Sequence, residues 1–271
     1  GTLWATEVDK TITNCKFWVS PSTSCLLSVM KILGYSCLEI LATLTKLPQL
    51  AISPSLFKNP LNLGNELGKL RDELSMIIRS KLGLIPTLAD LYTQTGVVLV
   101  GIGFSLTNQE IEYIHKETYP NMSLLDLMCI SFSTPGIYKP YKLGSDLWID
   151  GSIMEVFSPS SIELKEGNIL AITSKSCKIN YHNKDPINQV KDMMRTISEG
   201  ILNVCLSEKY PGMTMINIPS DEYADNYIKL RNGWDCYHNT IKEEIPSPFA
   251  NGGDDGDVII HSSQSIAEMQ N

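Results

Sequence analysis

The chain has 271 residues, 43% of them hydrophobic and 19% charged, a soluble globular balance with room for one large core or two modest ones. A net charge of -8 and a pI near 5.1, with no run of lysine or arginine, argue against nucleic acid as a partner and against simple electrostatic attachment to anionic lipid. The seven cysteines form no C-x-x-C pair and show no metal-type spacing with histidine, so they read as reduced thiols of a cytosolic-type compartment, and no metal or other cofactor is expected.

No transmembrane helix is expected. The longest clean apolar run, Val97 to Phe104, is far short of the roughly 20 residues a span requires. No signal peptide is visible, and the one Asn-x-Ser sequon, at Asn121, is weak evidence for secretion. The chain opens on Gly1 instead of methionine, which fits a processed protein or a fragment.

In chain order, residues 15–19 suit a short buried strand. Pro21 interrupts, and from Ser24 to Leu33 the pattern is apolar almost all round, as in a buried helix, with Ser24 as a candidate N-cap. A second helix is expected over Glu39 to Lys46. Residues 47–60 are rich in proline and apolar side chains (Leu47, Leu50, Ile52, Leu56, Phe57) and read either as surface packing or as a mobile hydrophobic lid. Residues 62–82 carry Leu67, Leu70, Leu74, Ile77 and Ile78 at helical spacing. Thr87 is a candidate cap for a short helix through Tyr92.

Val97 to Phe104 has the composition of a central strand, Glu110 to His115 follows as another, and Ser123 to Ser131 is helical in pattern. Leu147-Trp148-Ile149 reads as a short buried strand ending on Asp150-Gly151. Ile169 to Thr173 and Met213 to Ile218 are further strands, and 187–206 and 221–241 are helices. From about 245 the chain reads as a disordered acidic tail, without the ligand spacing of a calcium-binding helix pair. Strands alternating with helices predict an α/β fold with a mostly parallel central sheet flanked by helices, in one domain over 1–244.

Two segments carry the chemistry. A carboxylate at a strand's end, next to a glycine that permits a sharp turn, is a common way to present a carboxylate at a site, although Asp150-Gly151 alone also reads as a plain turn. Far upstream, in Trp18-Val19-Ser20-Pro21-Ser22-Thr23-Ser24, a serine sits between a strand and a helix. A G-x-S-x-G elbow exposes a serine at the top of a sheet in this way, and here Ser20 and Ser24 hold the glycine positions around Ser22. By itself S-x-S-x-S also fits an N-capping cluster.

The order of segments is more specific. The elbow helix ends in Leu33-Gly34-Tyr35-Ser36, and Ile85-Pro86-Thr87-Leu88-Ala89-Asp90-Leu91-Tyr92 follows. Next come Tyr119-Pro120-Asn121-Met122-Ser123, Ser131-Phe132-Ser133-Thr134-Pro135-Gly136-Ile137-Tyr138, Asp150-Gly151 and Phe157-Ser158-Pro159. This succession, over about residues 1–240, resembles the patatin-like phospholipases, most of all their compact bacterial and viral members.

The resemblance implies a three-layer α/β fold and a lipid acyl hydrolase with a serine–aspartate dyad. Ser22 would be the nucleophile and Asp150 its base, with Ser20, Ser24 and Gly151 supporting them and an acyl-enzyme as intermediate. It requires no histidine, so His115, His182, His238 and His261 read as surface or loop residues. Its substrate would be a phospholipid or glyceride ester, met at a membrane surface without insertion.

Three departures stand out. The family's glycine-rich oxyanion loop is reduced at most to Gly1, the elbow glycines are serines, and Glu155 stands where asparagine is usual, adding charge that would raise the pKa of Asp150. Loss of one oxyanion donor typically costs about 100- to 1000-fold in turnover. The departures therefore leave open a degenerate relative that binds lipid or protein.

If the 47–60 segment meets the membrane, Phe57→Asp weakens vesicle binding and leaves soluble-ester turnover intact; a sedimentation assay beside a kinetic one checks this, and equal loss of both contradicts it.

Overall fold

In the computed structural model, the described residues are 2–8, 10, 12, 15–47, 64–155, 168–176, 196, 213–220, 235–237, 239–241 and 258–263. The elements in chain order are α1 (Thr2–Val8), β1 (Phe17–Val19), α2 (Ser24–Ile32), α3 (Cys37–Leu44), α4 (Gly68–Leu82), α5 (Leu88–Thr95), β2 (Val98–Ser105) and β3 (Glu110–Ile114). They continue with α6 (Leu124–Phe132), β4 (Tyr141–Leu143), β5 (Asp146–Asp150), a 3-10 turn (Gly151–Ile153), β6 (Asn168–Ser176), β7 (Met213–Ser220) and β8 (Val258–Ser263).

The strands form one mixed sheet in the order β4-β5-β2-β1-β8-β6-β7, with β3 paired to β2 off this path. Pairings β1–β2, β1–β8, β6–β7 and β6–β8 are parallel, and β2–β3, β2–β5 and β4–β5 are antiparallel. The α/β expectation therefore holds, with the antiparallel part concentrated on the β4–β5–β2–β3 side.

The run Val98–Ser105 is buried at every position but Phe104, as its unbroken apolar composition requires of a strand covered on both faces. β2 also sets the geometry of the whole molecule. Its residues 98–100 pair with β1, putting Val19 opposite Val100, and its residues 103–105 pair with β5, putting Asp150 opposite Gly103. One strand thus carries the ends of β1 and β5 three residues apart.

The helices pack their apolar faces on this frame. α2 is buried from Ser24 through Met30, in keeping with a pattern that offers no polar face. α6 is buried at every position but Asp126 and packs against β5, β2, α2 and α4. Local chemistry sets where helices begin. Ser36 and Glu39 form a reciprocal capping box on α3, Thr87 and Asp90 form one on α5, and Ser123 accepts the Asp126 amide at 3.0 Å to start α6.

The 62–82 helix starts later than its periodicity predicts, at Gly68. Asn65 instead docks on the turn after α6: its N–H donates to the Ile137 carbonyl at 2.8 Å, and the Lys139 N–H donates to the Asn65 carbonyl at 3.0 Å. Gly64 makes this approach feasible. Its φ is +136°, and a Cβ there would lie 2.5 Å from the Tyr138 carbonyl carbon.

Two expectations need correction. Ser24 is not the N-cap of α2; Thr23 holds that position, with no side-chain cap bond. Residues 258–263, assigned to a disordered tail, form β8 between β1 and β6, and the β-branched run Val258-Ile259-Ile260 suits a strand paired on both sides. The rest of the 245–271 tail lies outside the described residues. So does the 47–60 segment beyond Leu47, including Leu50, Ile52, Leu56 and Phe57, and so does the 187–206 helix apart from Thr196.

Gly64→Ala is expected to lower stability by about 1–3 kcal/mol, because it forces a left-handed-side φ on alanine and drives a methyl into the Tyr138 backbone. A shift of the urea midpoint measures this, and an unchanged midpoint refutes the close approach.

Candidate active site

The chain leaves β1 at Val19 and turns through Ser20, Pro21, Ser22 and Thr23 into α2. Ser22 has φ +54°, a left-handed conformation that non-glycine residues rarely adopt and that costs about 1–3 kcal/mol. The turn is held by hydrogen bonds on both sides of it. The Ser20 N–H donates to the Val100 carbonyl at 2.9 Å, and the Ser20 hydroxyl is bonded to the Ser28 hydroxyl within α2. The Ser24 hydroxyl donates to the Pro21 carbonyl, and the Cys25 N–H donates to the Ser22 carbonyl at 3.1 Å. The two flanking serines thus fasten the turn with their own hydroxyls.

Asp150 ends β5, and its carboxylate is fully buried. The Ser22 hydroxyl donates to Asp150 Oδ2 at 2.6 Å. The Thr134 hydroxyl donates to the same oxygen at 2.9 Å, and the Ser152 N–H donates to Oδ1 at 3.0 Å. Burial raises the Asp150 pKa above the usual carboxylate range, and the hydrogen bonds from Ser22, Ser152 and Thr134 pull partly the other way. The same burial pushes the neighbouring Cys25 thiol up to about 12, with the Asp150 charge adding to it, so Cys25 is a packed thiol and not a nucleophile.

Gly151 is needed for a reason other than the turn. Its φ is not in the left-handed region, but a Cβ there would stand 2.8 Å from the Ile102 carbonyl carbon and 2.9 Å from the Gly103 nitrogen. The glycine lets the end of β5 lie against β2. Ser22 also stands just before the N-cap of α2, at the helix end whose dipole favours negative charge; the Cys25 and Leu26 amides there already donate to the Ser22 and Thr23 carbonyls at 3.1 Å. The Thr23 hydroxyl beside the serine is buried without a partner. An arrangement of this kind can activate a serine with a carboxylate and offer a helix terminus to an oxyanion.

The sequence model of the patatin-like phospholipases matches residues 8–158, more than half of the chain. The chain belongs to this family. A curated relative, "Probable lipid hydrolase 463L" of Invertebrate iridescent virus 6, is 25% identical over 157 residues, 54% of this chain and 53% of that protein. The chain thus spans about half the length of the curated relative it matches. Among solved structures, VipD from Legionella pneumophila aligns with a TM-score of 0.49 at 12% identity, over 89% of this chain and 63% of VipD.

In this patatin-like chain the dyad candidates chosen from sequence, Ser22 and Asp150, lie in direct contact. Ser20 and Ser24 flank them, but their hydroxyls are bonded to Ser28 and Pro21, so Ser22 is the serine that reaches the carboxylate. Gly1, the candidate oxyanion residue, lies outside the described residues. Glu155 does not act as expected: its carboxylate accepts the Tyr113 hydroxyl at 2.5 Å, and burial is what raises Asp150.

Among the described residues no group of three or more His, Cys, Asp or Glu side chains is arranged to hold a metal, and no helix is long and apolar enough to cross a membrane. Thr134 escaped the sequence reading, since a threonine before Pro135-Gly136 reads as a loop residue; only the fold brings it to Asp150.

A raised pKa means the folded protein holds the Asp150 proton more tightly than the unfolded chain does. The stability this contributes is complete below the ordinary carboxylate range and is lost as pH rises through the raised value. Asp150→Asn removes this titration, so the melting temperature of the variant is expected to gain on the native protein as pH rises from the ordinary carboxylate range through the raised Asp150 value. Parallel melting curves across that range contradict a buried, ionising Asp150.

Proposed function

We propose that this chain is a lipid acyl hydrolase that cleaves phospholipid or glyceride esters through a Ser22–Asp150 dyad and an acyl-enzyme. The observation that carries the reading is the 2.6 Å bond from the Ser22 hydroxyl, on an elbow at φ +54°, to a fully buried Asp150. Membership of the patatin-like phospholipases supports the substrate class.

In the first step Ser22 Oγ attacks the ester carbonyl carbon while its proton passes to Asp150 Oδ2. The developing oxyanion is met by the amide that follows the nucleophile, that of Thr23, at the N-terminal end of α2. The tetrahedral intermediate collapses, the C–O bond to the leaving alcohol breaks, and Asp150 returns the proton to that oxygen. An acyl ester on Ser22 remains. Water then adds to its carbonyl, giving a proton to Asp150, and the second collapse frees the fatty acid and restores the Ser22 hydroxyl. The substrate is lipid, so the protein works at a peripheral membrane surface.

Turnover of a p-nitrophenyl ester and labelling by a short-tailed fluorophosphonate test the reading together. Ser22→Ala should abolish both, and Asp150→Asn should lower turnover by about 100- to 10,000-fold, the usual worth of a general base. A folded native protein that neither turns over ester nor takes the label overturns the hydrolase reading, in favour of a relative that binds lipid or protein with an idle dyad.

A further inference from the structure

Three residues hold the Asp150 carboxylate, and they differ in what becomes of them during the reaction. Ser22 stops donating once its oxygen is acylated. The Ser152 amide binds Oδ1 and belongs to the turn that Asp150 itself begins. Thr134, 2% exposed, comes from a separate element, the turn after α6, and donates to Oδ2, the oxygen that has to exchange protons with Ser22 and then with water.

The backbone of the same turn grips β5. The Asp150 N–H donates to the Ser133 carbonyl at 3.1 Å, and the Ile137 and Tyr138 amides both donate to the Thr134 carbonyl at 3.0 Å. The Asn65 segment braces Ile137 from outside. Thr134 is therefore fixed relative to Asp150 by bonds that do not involve Ser22.

We propose that Thr134 is a positioning residue for the general base, holding Asp150 Oδ2 in place and ionised through the part of the cycle in which Ser22 is acylated. The inference rests on the dyad reading above. In that interval the carboxylate is buried, has lost the Ser22 donor from Oδ2, and has to accept a proton from water. Thr134 occupies one lone pair of Oδ2 and leaves the other directed at the place where Ser22 and water act in turn. The proton balance is unaltered: Thr134 keeps its own proton throughout.

Among the described residues, the titratable groups of the elements next to Asp150 are engaged elsewhere or held neutral. From α2, Cys25 is held neutral by burial. From α6, Asp126 accepts the Tyr141 hydroxyl at 2.6 Å and pairs with Arg71 at 3.8 Å, and the Cys129 thiol is pushed up to about 12 by burial. From β3 and the end of the 3-10 turn, Tyr113 and Glu155 bind each other. β2 carries no titratable side chain.

The test is a titration of the Asp150 carboxyl carbon by 13C NMR, assigned by its loss in Asp150→Asn, with the pH profile of ester kcat/KM beside it. Thr134→Val keeps the shape and removes the donor, and Thr134→Ala removes the same hydroxyl without the second methyl, so one reports if the other misfolds. Both are expected to move the Asp150 midpoint upward by about one pH unit, with the acid limb of kcat/KM following, and Thr134→Ser should restore the native midpoint. A packing role alone would leave that midpoint in place. Unmoved midpoints in the folded Val or Ala variant overturn the Thr134 assignment even if Ser22→Ala is inactive. Turnover surviving in Ser22→Ala sinks the dyad reading instead, while the NMR titration still decides the fate of Thr134.

Discussion

A carboxylate removed from water has to find hydrogen-bond donors within the protein, and the demands of Asp150 tie this structure together. Taking an ion of this size into a protein interior costs several kcal/mol after relaxation, and a hydrogen bond to a charged group returns about 1.5–3 kcal/mol. One donor does not suffice. Asp150 draws on three places in the chain: the elbow after β1, the turn after α6 and its own 3-10 turn. Their convergence depends on β2, which receives β1 along one stretch and β5 along the next. The meeting of Ser22 with Asp150 is thus a property of strand register. A slip of one residue in either pairing would turn the side chains to the opposite face.

The elbow shows how a sequence meets one steric demand by different means. Flanking glycines leave room in a crowded turn. Here Ser20 and Ser24 occupy those positions, and their hydroxyls bond to Ser28 and Pro21. The substitution exchanges conformational freedom for local fastening. It also lines the base of the site with polar groups that are already satisfied, so they do not compete with Ser22 for Asp150.

Much of this architecture was legible in the sequence because periodicity and capping are local. The all-apolar run of α2, the buried composition of β2 and the Thr87 cap can each be read within a dozen residues. The pairing of Ser22 with Asp150 was legible because Ser22 lies in the turn just after one strand and Asp150 ends another, and strand ends are where sheets present chemistry. Thr134 was not, because its role depends on a contact made only after α6 packs against β5. Gly151 was legible only in part: a glycine beside an aspartate suggests the turn that is there, whereas the close approach of β2 that bars a Cβ is visible only in three dimensions. The late start of α4 has a similar cause, since Asn65 trades a helical bond for one with Ile137. Residues 258–263 misled because the acidic, glycine-rich stretch before them dominates the composition and hides a short β-branched strand.

The left-handed backbone at Ser22 has an implication for anyone who sets out to make this protein sturdier. Glycine would relieve about 1–3 kcal/mol of backbone strain there, but it would take from the buried Asp150 a hydrogen bond worth about 1.5–3 kcal/mol, so strain and bond offset each other at this one residue. A selection that rewards heat resistance alone would therefore gain little at this position, and the awkward backbone can persist without costing the fold its stability.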